Sequence, residues 1–101
     1  MTLPSGLVLP AAGTEQICHR YHVKELAVFG SHARGDARPD SDVDFLVEFQ
    51  PGAPVGLLEY AALMRELSAL LGRKVDLVSK KALKPLIRDS VIREVHLAYA
   101  A

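Results

Sequence analysis

The chain has 101 residues, of which 50% are hydrophobic and 24% are charged, a composition typical of one globular domain. Its 12 basic and 12 acidic residues cancel, so we expect no direct binding of nucleic acid through bulk positive charge. The single cysteine, Cys18, excludes a disulfide framework and a cysteine-rich zinc module. No apolar run reaches the ~20 residues that span a bilayer, so no membrane association is expected.

The first 13 residues, MTLPSGLVLPAAG, are expected to form a loose tail ahead of a single domain over 14–101. Pro4 and Pro10 interrupt this segment, and it contains no lysine or arginine. It therefore lacks the charged start and the continuous apolar stretch of a secretory signal. We expect a cytoplasmic protein.

The patterning that follows predicts a helix and two strands. Thr14 is a typical N-cap for a short helix that reaches Tyr21. Two apolar runs bounded by turn residues, 26–29 and 43–49, predict strands, and the polar segment 32–41 between them predicts a loop.

The second half of the chain predicts a helix, a third strand and a final helix. Apolar residues spaced three and four apart between 56 and 71 form one helical stripe, and Gly72 is a natural end for it. Residues 75–78 predict the third strand, and Pro85 suits the first turn of the last helix. The first stripe comprises Leu57, Tyr60, Ala61, Met64, Leu67 and Leu71, and the last helix carries Leu86, Ile87, Val91 and Val95.

The resulting order, α-β-β-α-β-α, predicts an α/β (α+β) fold with a small mixed sheet and flanking helices. The connection between the second and third strands is long enough for a parallel crossover. The connection between the first two strands is short, so that pair can be antiparallel.

Acidic residues interrupt the predicted strands at unusual places. Asp42 and Asp44 are two residues apart at the start of the second strand, so their side chains leave the same face. Carboxylates in that position repel each other unless a cation compensates, and oxygen ligands suit Mg²⁺ or Mn²⁺. Asp76 interrupts the third strand and would complete a three-carboxylate metal cluster if the two strands are neighbours.

Gly30 and Ser31, which end the first strand, have the properties of a phosphate-binding turn. Glycine allows a phosphate to approach the backbone, and serine adds a hydroxyl group. Arg34 can add a bidentate contact to the same phosphate. It can equally form a salt bridge with Asp36 or Asp40 in the loop, and both alternatives stay open.

The segments GSHARG and SDVDFLV, with the later VDLV, resemble the signature of the DNA polymerase β-like nucleotidyltransferase superfamily. More narrowly, the chain looks like the minimal nucleotidyltransferases, the MNT antitoxins that are paired with HEPN-domain toxins. The resemblance implies that Gly30 and Ser31 bind the phosphates of a nucleotide and that Asp42 and Asp44 hold metal ions. It also implies that Asp76 completes the metal site and helps to deprotonate the acceptor hydroxyl.

The resemblance further implies a Mg²⁺-dependent enzyme that transfers AMP from ATP to a tyrosine of a HEPN ribonuclease toxin and so acts as an antitoxin. The small chain offers little surface to enclose a second substrate, so a docked partner would supply the acceptor. A second hypothesis is a catalytically inert antitoxin that neutralises its toxin by binding. A third is a small-molecule nucleotidyltransferase that modifies an antibiotic. Exposed sheet edges also make a homodimer possible.

Overall fold

Helices and strands alternate along the computed structural model, which describes all 101 residues. The helices are α1 (Ala11–Arg20), α2 (Ser31–Arg34), α3 (Leu57–Leu71) and α4 (Pro85–Glu94). The strands are β1 (Val23–Phe29), β2 (Val43–Phe49), β3 (Val75–Ser79) and β4 (His96–Ala100). A short 3₁₀ turn, Lys80–Ala82, follows β3. None of the helices combines the length and the apolar character that crossing a membrane requires.

The four strands form one mixed sheet in the order β3-β2-β1-β4. β1 pairs antiparallel with β2 and with β4, whereas β2 pairs parallel with β3. The long connection through α3 makes the parallel pair, and the short connection makes the antiparallel pair, because only the longer one can return the chain to the same end of the sheet. The predicted fold class is confirmed.

β4 is absent from the predicted order of elements. The sequence pattern extends the last helix through Val95, but the helix ends at Glu94 and the next residues form an edge strand beside β1. Ala98 and Ala100 have little intrinsic preference for strands. Pairing with β1 therefore determines the conformation of this segment, and such long-range pairing leaves no local pattern in the sequence.

The core lies between the sheet and the helices α1 and α3. Alternate residues of β2, namely Val43, Phe45 and Val47, are at most 1% exposed and belong to this core. Leu63 and Leu67 of α3 pack against them. The predicted stripe of α3 is only partly correct, because Leu57 is 84% exposed. It lies in the first turn, outside the packed part of the helix.

Cys18 packs in this core as a small apolar residue. Its thiol is buried, and burial raises its pKa to about 12. The thiol therefore stays protonated at neutral pH, the form that packs well and is a poor nucleophile or metal ligand.

The first nine residues pack onto the domain, in contrast to the expected loose tail. Leu3 and Leu9 are each 2% exposed and belong to the core cluster. Thr2 and Val8 form an isolated antiparallel bridge, which closes this segment into a small loop. Burial of the two leucines stabilises the arrangement by the hydrophobic effect, a contact between distant parts of the chain that the sequence pattern does not reveal.

Helix α1 begins three residues before the predicted N-cap. Pro10 is the residue before the helix, and the helix itself starts at Ala11. Thr14 lies inside the helix, where its hydroxyl donates a hydrogen bond to the carbonyl of Pro10 at 2.7 Å. A threonine can satisfy its hydroxyl in this way within a helix as well as at a cap, so its position alone misplaces the boundary.

Candidate active site

Two of the predicted site carboxylates lie opposite each other on adjacent strands. The parallel register pairs Val43 with Val75 and Asp44 with Asp76. Because side chains alternate along a strand and both valines are buried in the core, the two aspartates leave the opposite, open face of the sheet. Neighbouring strands thus bring Asp44 and Asp76 to the same edge, the condition on which the proposed carboxylate cluster depends.

Asp42 lies at the same end of β2, two residues before Asp44 and just outside the strand. Its carboxylate is 3.7 Å from the ammonium nitrogen of Lys74. In this arrangement no group of three or more acidic, histidine or cysteine side chains is placed to hold a metal ion. The three aspartates share one edge of the sheet, but their side chains are not converged on a single point.

The negative charges at this edge act on Asp44. Its pKa is raised, first by burial and then by the negative charges of Asp76 and Asp42, while His32 and Arg34 oppose the shift. A divalent cation would remove this repulsion, and carboxylate oxygens are the ligands that Mg²⁺ and Mn²⁺ prefer. The donor set therefore fits such an ion in its chemistry, provided that Asp42 turns away from Lys74.

Gly30 lies against the end of the sheet that carries Asp42, Asp44 and Asp76, here called the carboxylate edge. Its φ of +76° belongs to the region that favours glycine. A Cβ atom at this position would lie 2.3 Å from Oδ2 of Asp44, a distance that no real Cβ contact tolerates. The backbone conformation thus favours glycine, and a side chain at this position would force the carboxylate of Asp44 to move. The turn at residues 30 and 31 therefore lies beside Asp44.

The predicted loop after this turn begins with the single-turn helix α2. The backbone N–H groups of Ala33 and Arg34 donate to the carbonyl of Gly30 at 3.1 and 3.0 Å. Ser31 opens this turn and is partly exposed on the surface. The side chains of Ser31 and Arg34 therefore start from a short, hydrogen-bonded unit and not from an irregular loop.

Arg34 contacts two carboxylates. Its Nε donates to Oδ2 of Asp36, and its Nη1 donates to Oε1 of Glu94, each at 3.3 Å. The loop salt bridge with Asp36 is thus one of the contacts that the sequence allowed, whereas Asp40 has no ion pair in this structure. Asp36 and Glu94 thus each accept one hydrogen bond from the guanidinium group of Arg34.

Glu94, the last residue of α4, also contacts this turn, although the sequence pattern does not predict it. The backbone N–H of Gly30 donates to the same oxygen of Glu94 that Arg34 contacts, at 3.3 Å. No motif marks this glutamate, since it lies 64 residues from Gly30 and 60 residues from Arg34. One signal was available, because a glutamate in the last turn of a helix is disfavoured by the helix dipole and needs a partner elsewhere.

His32 connects the first residues of the chain to the loop that precedes Asp42. Its ring is buried, with Nδ1 2.7 Å from the hydroxyl of Ser5 and Nε2 3.3 Å from the carbonyl of Ser41. A neutral ring that carries its proton on Nε2 satisfies both contacts, because Nδ1 then accepts from the serine. The backbone N–H of Ser5 also donates to the carbonyl of His32.

The carboxylate edge is open to solvent. Asp76 is exposed, and neither Asp44 nor Asp76 lines any of the five cavities in the structure. Further along the same face, a cavity of about 180 Å³ lies under α4 and is lined by Leu46, Val95 and Leu97 among others. Of the three aspartates only Asp42 lines a cavity, one of about 200 Å³ that Lys74 also lines. A ligand at Asp44 and Asp76 would therefore bind to a surface and not inside a pocket.

Comparison with known proteins indicates the family of this chain. A family model described as a nucleotidyltransferase domain matches residues 14–97. The protein adenylyltransferase MntA of Thermococcus cleftensis is 48% identical over 95 residues, which cover 94% of each chain. A solved structure of a candidate minimal nucleotidyltransferase has a TM-score of 0.73 at 43% identity, covering 85% of this chain and 86% of that one.

A crystal structure of a toxin–antitoxin complex with AMP-PNP contains a chain of the same fold. That chain has a TM-score of 0.73, is 18% identical, and is matched over 92% of this chain and 75% of its own length. At this level of identity the likeness shows the fold alone.

Proposed function

Because this chain belongs to the nucleotidyltransferase family, we propose that it is a cytoplasmic antitoxin that transfers AMP from ATP to a tyrosine of a HEPN ribonuclease toxin. The observation that carries the proposal is the register that sets Asp44 opposite Asp76 beside Gly30. The relative from Thermococcus cleftensis is named as a protein adenylyltransferase, which supports AMP as the transferred group and a protein as the acceptor.

The transfer forms a bond between the acceptor oxygen and the α-phosphorus of ATP and breaks the bond from that phosphorus to the departing pyrophosphate. The backbone N–H of Gly30 and the hydroxyl of Ser31 would hold phosphate oxygens, and Arg34 would add a bidentate contact. The proton of the acceptor hydroxyl would pass to the carboxylate of Asp76, which is exposed and can reach an incoming group.

Asp42, Asp44 and Asp76 would hold Mg²⁺ or Mn²⁺, which supplies positive charge to the triphosphate and lowers the pKa of the attacking hydroxyl. The raised pKa of Asp44 supports this assignment, because its causes are first burial and then the negative charges of Asp76 and Asp42, which a divalent cation would offset. Lys74 contacts only Asp42, and Arg34 is already shared between Asp36 and Glu94.

A protein acceptor agrees with the open site and with the surface of α4. This helix has no buried residue; Leu86 is 94% exposed, and Ile87 is exposed beside it. Lys84 and Arg88 flank these apolar side chains. An apolar patch with a basic rim is typical of a surface that contacts an acidic protein partner, and we assign this surface to the toxin.

The experiment that tests the proposal combines the purified chain, Mg²⁺, ATP labelled at the α-phosphate and the product of the neighbouring gene, which we expect to be a HEPN protein. We expect label on a tyrosine of the HEPN protein and loss of its ribonuclease activity. A double variant, Asp42→Ala with Asp44→Ala, should transfer no label. Glu15→Gln, which changes an exposed acidic residue of α1, is the matched control and should transfer normally. An unlabelled toxin in the wild-type reaction would refute the proposal.

A catalytically inert antitoxin is the second candidate, and the exposed apolar and basic surface of α4 favours it. On that hypothesis the double aspartate variant still protects cells from the toxin, whereas Leu86→Asp does not. The adenylyltransferase proposal instead requires that the aspartate variant fails to protect although it is folded. The third hypothesis, modification of an antibiotic, gains no support from a site without an enclosing cavity, and unchanged antibiotic susceptibility on expression would remove it.

A further inference from the structure

A carboxylate of the chain already occupies the groups that we assign to phosphate. Oε1 of Glu94 accepts from the backbone N–H of Gly30 and from Nη1 of Arg34, each at 3.3 Å. These two donors come from opposite ends of α2, and one oxygen atom joins them. A carboxylate and a phosphate present similar anionic oxygens to such donors.

The local electrostatics do not favour a negative charge at Glu94. It is the last residue of α4, where the helix dipole is negative. The carboxylate of Asp44 lies close by, since it approaches Gly30, which Glu94 also contacts. The contacts with Gly30 and Arg34 therefore offset an unfavourable position, and a more highly charged anion that brings its own cation would compete well for the same donors.

We propose that Glu94 is an internal placeholder for a nucleotide phosphate, a carboxylate that occupies the N–H of Gly30 and the guanidinium of Arg34 until a triphosphate displaces it. This inference rests on the proposed function, because it requires that the two donors bind nucleotide. Glu94 is then a positioning residue. Glu94 keeps Arg34 directed toward the turn at residues 30 and 31 in the absence of nucleotide. Only a ligand that carries more negative charge than this one carboxylate then displaces it.

The test measures binding of a non-hydrolysable ATP analogue with Mg²⁺ by calorimetry, without any acceptor protein. Glu94→Gln keeps the shape of the side chain but removes its charge, so it competes less well for the donors. We expect the analogue to bind about three- to tenfold more tightly to this variant. Glu25→Gln is the matched control, because Glu25 is paired with Lys80 away from the aspartates, and we expect its affinity to change less than about twofold.

A second measurement uses the wild-type chain and does not depend on the folding of a variant. Addition of the same analogue should shift the amide resonance of Gly30 and the carboxyl ¹³C resonance of Glu94 with a common dissociation constant. Unchanged affinity in Glu94→Gln, or a Glu94 resonance that does not move at saturation, would overturn the placeholder and leave the proposed function intact. Failure of every form to bind the analogue would overturn both.

Discussion

The two faces of β2 perform different tasks with alternate residues of one strand. Val43, Phe45 and Val47 face the helices and are fully packed in the core, whereas Asp44 faces the open side and pairs with Asp76 across the strands. Substitutions on the packed face should therefore change stability, and substitution of Asp44 should change chemistry with little cost to the fold. Paired substitutions on the two faces test how complete this separation is.

The largest effect is expected on the open face. The double variant Asp42→Ala, Asp44→Ala removes two of the three carboxylates, and we expect AMP transfer to fall by about a thousandfold or more. Its melting temperature should stay within a few degrees of wild type, because neither side chain belongs to the core. Initial rates with labelled ATP and thermal unfolding of the same sample measure both quantities. A rate above one tenth of wild type would contradict the assignment.

On the packed face, Phe45→Ala leaves a cavity in the core between the sheet and the helices. Such truncations lower the free energy of unfolding by about 3–5 kcal/mol, and Phe45 is among the largest fully buried side chains of the chain. Urea denaturation measures the change. Glu48→Ala, which alters the open face of the same strand, is the control and should change stability by less than about 1 kcal/mol. Similar losses in both variants would abolish the distinction between the faces.

Gly30→Ala tests the point where the first strand meets the carboxylates. The new Cβ would lie 2.3 Å from Asp44, and the φ of +76° is unfavourable for alanine. Gly52→Ala is a close control, because its φ is +74° but no atom lies within 4 Å of the added Cβ. Strain alone should cost about 1 kcal/mol in the control. Gly30→Ala should cost about 1–2 kcal/mol more by denaturation and weaken binding of the ATP analogue. Equal losses would show that the contact with Asp44 is unimportant.

How far the sequence predicts this molecule depends on whether a feature is local. The alternation in residues 43–49 predicts β2 with its observed boundaries and predicts that Asp42 and Asp44 share a face, since strand geometry fixes both. The pairing of Asp44 with Asp76 needed one further assumption, that their strands are neighbours, and the parallel register satisfies it.

Other features arise from contacts between distant residues. Leu3 and Leu9 look like part of a loose lead because two prolines interrupt it, yet both are buried. β4 contains small residues with weak strand preference and exists through its pairing with β1. Glu94 reaches Gly30 and Arg34 only because the fold returns α4 to the turn. No periodicity in the sequence predicts such long-range contacts.

The smallest expected effect is the contribution of Asp44, on the open face, to the free energy of unfolding. The pKa of Asp44 is raised in the folded chain above its ordinary value of 3.8, so folding favours the protonated form. Stability should therefore decrease as the pH rises from about 4 through the folded pKa. Asp44→Asn should remove this dependence and raise the free energy of unfolding at pH 7 by about 0.5 kcal/mol in the presence of a chelator, a value reduced for solvent screening. Denaturation at several pH values measures it. A variant that is less stable than wild type would indicate that the carboxylate stabilises the fold.

Asp76 is exposed, and neither Asp76 nor Asp44 lines a cavity, which has a consequence for fidelity. Bulk water reaches such a surface as readily as any hydroxyl, so an adenylyl donor bound there would be prone to idle hydrolysis. Only a partner large enough to cover the aspartates can exclude that water while it presents its own nucleophile. Selection for a macromolecular acceptor would then follow from the shape of the domain, before any side chain recognises a particular sequence.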